Sequence, residues 1–496
     1  MQDFTKLPST VREFDFFVDG KWIDRGSRGQ SERLSPGHDV PVTRTVRCTK
    51  EDLDHAVAVA RRAFNAKTWS TVSGAERAAV LLRAATGIRD KLDELAYWET
   101  LETGKAISQC RGEIEAAAGH YEYAAGVART LSGEAFNNLG DKMFGLVTRQ
   151  PIGVIGLITP WNFPFIILAE RIPYMLAAGC TIVAKPAEVT SASTLMMAEI
   201  LTESGLPDGV FNVVPGSGSE VGQAMIEHVD IDVLSFTGSI DVGRRVLLAS
   251  ASNFKKLSLE LGGKNPQIVY ADANLEDAAD GVAFGLCFNA GQCCVSGSRL
   301  IVEKTVAREF EKLLIEKLSR VRTGDVLDPE TQLGAIVTDE HQAKILGYVQ
   351  TGLNEGAVLS CGGKSLEAHA GRFVEPTLLT NVRNDMVVAR EEIFGPVLAM
   401  IEFETIDEAI GIANDNIFGL SASIWTSDID KAVETMRRVQ AGRTWVNTTI
   451  SGGPELPIGG FKQSGNGRET GVYGVEEYTE VKSIHIELGK RNHWVS

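Results

Sequence analysis

The chain has 496 residues, is 44% apolar and 23% charged, and carries a net charge of −16. That composition is a soluble globular one with room for two to four domains. Its acidic balance argues against nucleic acid or an anionic membrane as the main partner. The seven cysteines, Cys48, Cys110, Cys180, Cys287, Cys293, Cys294 and Cys361, form no disulfide framework, so free thiols in a reducing, cytoplasmic compartment are expected. No CxxC or HExxH occurs, so no protein metal site is expected. The first residues, Met-Gln-Asp-Phe-Thr-Lys, have no apolar signal core, and no apolar run is long enough for a bilayer.

Residues 14–24 predict a hairpin about an Asp19-Gly20 turn. Thr49 and Asp52 open an amphipathic helix to about Ala66. Ser73 and Glu76 form a capping box for a second helix, and a third runs over about 107–132. No chemistry is read in this part, and Lys105 is read as a solvated surface lysine. From about 144 the pattern alternates. Strands at 144–149, 154–158, 181–184, 211–214 and 233–236 are separated by helices from about 165, at 191–204, near 220–226 and near 241–251. This predicts a parallel sheet with crossover helices, which binds ligands beyond the carboxyl ends of its strands. Residues 266–465 repeat the α/β pattern less regularly. Helices are predicted at 275–290, 305–321, 339–354, 406–414 and 428–439, and strands at 266–270, 299–303, 396–403, 421–425 and 443–446. The tail 478–487 alternates polar and apolar residues. It predicts an edge strand that pairs across a subunit boundary.

Polar clusters stand at the strand ends. In Asn289-Ala-Gly-Gln-Cys293-Cys294, either two buried thiols or a nucleophile fits, because a thiol attacks only as thiolate and its surroundings set that fraction. Gly216-Ser-Gly218-Ser-Glu-Val-Gly222 has the wrong final spacing for a dinucleotide fingerprint and reads as a tight turn. Phe236-Thr-Gly238-Ser239 leads from a strand into a helix whose amides suit a pyrophosphate. Lys185 and Glu188 fit either the hydroxyls of an adenosine ribose or a surface ion pair. Glu188 would repel a 2′-phosphate, favouring NAD over NADP. Glu260, in Leu-Glu-Leu-Gly-Gly-Lys, sits where burial would raise its pKa and suit it to general-base work. Asn162, between two prolines, fits an oxyanion donor or a turn residue.

Seven motifs together resemble the aldehyde dehydrogenase superfamily, specifically its NAD(P)-dependent, non-acylating members. They are PWNFP at 160–164, KPAE at 185–188, FTGS at 236–239, LELGGK at 259–264, GQCC at 291–294, EEIFGP at 391–396 and PIGGFKQSGNGRE at 457–469. The resemblance implies an α/β fold: a Rossmann-like parallel-sheet cofactor domain (1–131 and 152–263), a second α/β catalytic domain (264–467) and a β oligomerisation arm (132–151 and 468–496). It implies Cys294 as nucleophile, Glu260 as general base, Asn162 as oxyanion donor with the Cys294 amide, and Glu469 as a proton relay. For the cofactor, NAD, it implies Thr159, Pro160, Trp161, Lys185, Glu188, Gly218, Phe236, Gly238, Ser239, Leu261, Gly262, Glu392 and Phe394. Glu170, Phe288, Cys293 and Val295 would line the substrate pocket. The implied partners are a small-molecule aldehyde and further copies of the chain in a dimer or tetramer.

The implied reaction is oxidation of an aldehyde to its acid through a thiohemiacetal and a thioester hydrolysed by water. A coenzyme-A-acylating relative generally lacks the base that Glu260 matches, and a non-catalytic relative would have lost Cys294 or Glu260. One departure stands out. Where many relatives have Trp-Lys after PWNFP, this chain has Glu170-Arg171, and an arginine that stays protonated puts the relay by Glu469 in question. Glu170 either attracts a cationic aldehyde or pairs with Arg171. The loop 448–453 is small and offers no aromatic cage for a quaternary ammonium group.

Overall fold

The computed structural model describes residues 4–366, 370–491 and 493–495. Two large sheets organise it. The first has eight strands in the spatial order Gly465–Asn466, Lys256–Glu260, Val233–Thr237, Val154–Ile158, Thr181–Lys185, Phe211–Val213, Phe16–Val18 and Lys21–Ile23. The five central strands are parallel. Their chain order reverses between Val154–Ile158 and Val233–Thr237, which makes a topological switch point beside the first of these strands. The predicted Asp19-Gly20 turn is formed, with φ of 57° and 73°, and its hairpin extends the sheet antiparallel.

The second sheet runs Val358–Cys361, Thr377–Thr380, Val397–Phe403, Arg299–Glu303, Pro266–Val269, Ser421–Trp425 and Arg443–Val446. All of its pairings are parallel except the outermost. It meets the first sheet with its amino ends. Lys264-Asn265 precedes one strand and Cys294–Ser298 precedes the next. The carboxyl ends of one sheet and the amino ends of the other therefore frame a single cleft.

Both capping boxes are present, Thr49 with Asp52 on the helix Lys50–Asn65 and Ser73 with Glu76 on Gly74–Asp90. A helix absent from the sequence reading, Leu92–Thr103, lies between Gly74–Asp90 and Ile107–Thr130. Every residue from Leu95 to Thr103 is buried. A helix enclosed on all sides has no polar face to produce an amphipathic signal. The helix expected from about 165 is two, Pro164–Ala169 and Ile172–Ala178, broken at Glu170-Arg171 because Pro173 has no N–H to continue the ladder.

The tail strand, Thr479–Glu487, is an edge strand, as expected. It pairs antiparallel with Met143–Pro151 of the same chain over its whole length, and Glu134–Phe136 lies on the far side. The sequence offered no view of this pairing, because the partner is more than 300 residues away in the chain. No helix among the described residues is long and apolar enough to cross a membrane.

Candidate active site

The loop carrying the two cysteines is built by backbone geometry. After the helix Leu275–Cys287, residues Asn289, Ala290 and Gly291 take φ values of 48°, 52° and 70°. The left-handed region costs a residue such as alanine about 1–2 kcal/mol, so the surroundings must hold the turn. They do. The Asn289 side-chain amide donates to the carbonyls of Asn162 and Gln292, each at 3.0 Å. The Asn289 N–H donates to Gln109 Oε1 at 3.0 Å. A Cβ on Gly291 would lie 2.3 Å from the Gly395 carbonyl. Gln292 is fully buried. It accepts from the Val337 N–H at 2.9 Å and donates to the Asn289 and Ala335 carbonyls at 3.1 Å. The amide beside the cysteines is thus a staple.

That turn separates the cysteines. Cys293 is buried in an apolar wall with Phe163 and Ile167, flanked by Phe288 and Val295. Cys294 is less enclosed, and its carbonyl accepts from Asn265 Nδ2 at 2.7 Å. The adjoining Cys293 thiol, burial and the Glu392 and Glu260 carboxylates all push the Cys294 thiol well above its ordinary pKa. Asn162 is buried, and its Nδ2 donates to the Gln292 carbonyl at 3.0 Å. A primary amide has a second hydrogen to give.

Glu260 ends its strand 6% exposed, and one carboxyl oxygen, Oε1, has no hydrogen-bond partner. Burial pushes its pKa up to about 8; Arg171 opposes that shift, and Glu469 and Glu170 add to it. Glu469 is fully buried and differently held. It accepts from Ser258 Oγ at 2.6 Å, Ser235 Oγ at 3.2 Å and Tyr478 OH at 2.8 Å, and Arg171 Nε lies 3.7 Å away. Its oxygens are engaged by three hydroxyls and an arginine. Arg171 also lies 3.5 Å from Glu170, so the Glu170–Arg171 pair is formed. Burial raises the Glu170 pKa, with Arg171 and Arg443 opposing.

On the opposite side of the cleft, Thr159 is buried at the end of its strand, followed by Pro160 and Trp161. Trp161 sits edge-on to Phe394 at 5.5 Å and to His341 at 5.7 Å. His341 also contacts the Phe394 carbonyl through Nε2 at 2.7 Å, an aromatic neighbour that no sequence motif announces. Phe394 has φ 60°. Ser239 caps the helix Ile240–Ser250, and Gly238 lets Phe236 pack beneath, since a Cβ there would lie 2.5 Å from the ring. Leu261 fills the space against Gly243. At Gly262 a Cβ would lie 2.2 Å from Glu392 Oε2. The Gly263 N–H donates to the other Glu392 oxygen at 2.8 Å, and burial brings the Glu392 pKa to about 7.

Lys185 is buried with its ammonium on the Pro186 carbonyl at 2.9 Å, and burial lowers its pKa to about 8. Glu188 is bridged instead to Arg47 at 2.6 Å near the surface, so the expected alternative of a surface ion pair between Lys185 and Glu188 is not formed. Gly218 stands in open space at the exposed start of the turn Gly218–Gly222, which is capped by Ser217 and buries Val221 and Gly222.

The surface reading of Lys105 is wrong. Its side chain is 0% exposed, pairs with Glu99 at 2.5 Å and with Glu113, and stands 4.6 Å over the Phe163 ring. Phe163 in turn stacks on Phe288 at 5.6 Å. Burial works against the lysine's charge, but Glu113 and Glu99 outweigh it and raise the pKa. The helices near the start of the chain thus reach the site twice, through Lys105 and through Gln109. Burial of a lysine is visible only once both carboxylates are placed, and Glu99 lies on the helix that the sequence reading lacked.

The aldehyde dehydrogenase family model matches residues 22–484. A betaine aldehyde dehydrogenase from Bacillus subtilis is 40% identical over 472 residues, covering 95% of this chain and 96% of its own. The crystal structure of an NAD-dependent aldehyde dehydrogenase from Sinorhizobium meliloti superposes with a TM-score of 0.96 at 47% identity, over 98% of this chain and 96% of that one. A betaine aldehyde dehydrogenase from Staphylococcus aureus, solved with NAD+, gives a TM-score of 0.95 at 35% identity, over 97% of both chains.

Proposed function

We propose, on the premise that the chain belongs to the aldehyde dehydrogenase family and so oxidises aldehydes with an NAD(P)-type cofactor, that Cys294 is the nucleophile, Glu260 the general base and Asn162 the oxyanion donor. The observation that carries this reading is the buried, unpartnered oxygen of Glu260 in a cleft whose other wall is the Cys294 loop, pinned to Asn162 by two hydrogen bonds.

In the addition step the Cys294 sulfur bonds to the carbonyl carbon, its proton passes to a base, and the carbonyl oxygen becomes an oxyanion. The free hydrogen of the Asn162 amide and the Cys294 N–H donate to that oxygen; one such donor is worth about 3 kcal/mol. Bound NAD(P) supplies the two-electron acceptor of the oxidation. On the side of this chain the result is an acyl thioester at Cys294. Glu260 takes a proton from the water that hydrolyses it, releasing the acid and the thiol. The base makes hydrolysis the route of release, so the coenzyme-A-acylating alternative is not favoured. Glu469, held by three hydroxyls, serves to position Arg171.

The cleft suits a dinucleotide. Gly262 leaves space that a Cβ would fill, the Ile240–Ser250 helix presents its N-terminus, and the buried Lys185 ammonium has a single carbonyl partner. Thr159, Pro160, Trp161, Gly218, Phe236, Gly238, Ser239, Leu261, Glu392 and Phe394 form the rest of this surface. Glu188 supports NAD over NADP. In this reading 1–131 and 152–263 form the NAD-binding domain, 264–467 the catalytic domain, and 132–151 with 468–496 the oligomerisation segment. The outer edge of Thr479–Glu487 has no partner among the described residues, which supports a dimer or tetramer. Seven unpaired cysteines suit a reducing compartment, the cytoplasm.

The test is rapid-mixing kinetics of NADH formation. C294A abolishes it and C293A does not. E260Q keeps the first-turnover burst and slows the steady state. Unchanged turnover in E260Q removes the base assignment, and an active C294A moves the nucleophile.

A further inference from the structure

The strand Arg443–Val446 puts Arg443 and Trp445 on one face, because side chains alternate along a strand. The Arg443 guanidinium lies over the Trp445 ring at 5.0 Å. Both residues donate to the same acceptor, the Ser451 carbonyl: Arg443 Nη2 at 3.2 Å and Trp445 Nε1 at 2.5 Å. That shared acceptor folds the loop after Asn447 back over the strand, with φ of 53° at Asn447 and 49° at Ile450. Gly452 permits the return, since a Cβ there would lie 2.5 Å from Arg443 Nη2. The guanidinium is thus held in one place by a ring and a carbonyl.

Its charge is not neutralised there. Arg171 is paired with both Glu170 and Glu469, whereas Arg443 forms no ion pair among the described residues. It stands close enough to Glu170, Cys294 and Cys293 to interact electrostatically with each. A half-buried cation with N–H donors to spare therefore stands beside this site: the loop that holds it runs on to Pro454, whose carbonyl accepts from Tyr174 OH at 3.3 Å on the helix that follows Glu170-Arg171. A guanidinium fork matches a carboxylate in two parallel hydrogen bonds.

We propose that Arg443 is a specificity residue that receives a carboxylate at the far end of an aldehyde whose carbonyl carbon is seated at Cys294. The substrate class is the ω-oxo acids, oxidised to dicarboxylic acids. This rests on the aldehyde-oxidising reading of the same site. A quaternary ammonium aldehyde is disfavoured twice. It meets a like charge, and the Trp445 face that would hold it is already covered by Arg443.

The test compares kcat/KM for ω-oxo acids of four to six carbons with the neutral aldehydes of equal length and with 4-(trimethylammonio)butanal. The wild type favours the oxo acid over its neutral match by about tenfold or more, mostly through KM, as a charged hydrogen bond does. R443Q brings that ratio close to one, and R443K restores part of it. A wild-type ratio near or below one across the series overturns the proposal, as does a ratio that R443Q leaves unchanged. Preference for the trimethylammonio aldehyde overturns it as well. NADH formation from no aldehyde at all removes the catalytic reading itself, a different failure from equal rates with all of them.

Discussion

The Asn289 side chain donates to the Asn162 carbonyl at 3.0 Å and to the Gln292 carbonyl at the same distance. One amide thereby ties the loop after the Val154–Ile158 strand to the loop that carries Cys294, and the distance between Asn162 and Cys294 depends on it. Replacing the amide should cost about 1–3 kcal/mol in stability for the polar partners left behind. It should cost more in rate, since a misplacement of about 1 Å loses about a hundredfold. N289A and N289G are both expected to lower kcat by that order while NAD(H) binding changes little. N289G keeps the left-handed turn accessible, so a wild-type kcat in N289G would show that the amide is dispensable.

The Glu260 pKa of about 8 sets a pH dependence. A base must be ionised, so thioester hydrolysis rises with pH and reaches half its maximum near pH 8. E260Q flattens that limb. Stability moves the other way. The folded state binds a proton that an unfolded glutamate releases at about pH 4.5, so between that value and about 8 the folded state is the more protonated one, and stability falls as pH rises. E260Q lacks this term. Its melting temperature relative to wild type therefore climbs from pH 5 to pH 8, and a constant difference across that range would contradict a raised carboxylate pKa.

The sequence made the strands and the polar strand ends legible because each is a local signal. A run such as Val154–Ile158 is apolar throughout, and a glycine-rich end such as Leu261-Gly262-Gly263 marks close approach. What stayed hidden depends on distant partners. The helix Leu92–Thr103 shows no face because it is enclosed. The tail strand found Met143–Pro151 in its own chain. Arg443 looks like any strand-edge arginine until Trp445 and Ser451 fix its head. The Glu170–Arg171 pair was readable, since the two are adjacent, but the second contact of Arg171, to Glu469, lies nearly 300 residues on.

Glu188 and Arg47 form an ion pair 2.6 Å long and partly exposed. A 2′-phosphate placed beside Glu188 meets a like charge, which Arg47 only partly offsets. E188Q removes the repulsion and leaves the arginine free to pair with phosphate. The ratio of kcat/KM for NADP to that for NAD should rise several-fold, and the gain should shrink with added salt. A ratio that does not move would place the 2′ position elsewhere. Loss of NAD activity alone would show Glu188 holding the ribose without selecting against phosphate.

Lys105 neutralises part of a buried cluster in which Glu99 and Glu113 face it from two helices. Breaking such a cluster from one side leaves carboxylates buried without a cation, which costs about 3–5 kcal/mol. K105M is therefore expected to lower the melting temperature by several degrees, and Phe163 loses the charge over its ring. Replacing the whole cluster behaves differently. In K105M combined with E99Q and E113Q no charge is stranded, and most of the lost stability returns. Burial brings the Glu113 pKa to about 8, so in K105M, with the lysine gone, Glu113 takes up a proton more readily and the variant is least unstable at acid pH. Thermal melts of the single and triple variants at pH 6 and pH 8 separate the terms. Equal destabilisation in both variants would mean that Lys105 contributes packing rather than charge, and no loss in K105M would mean that the cluster is not closed to water.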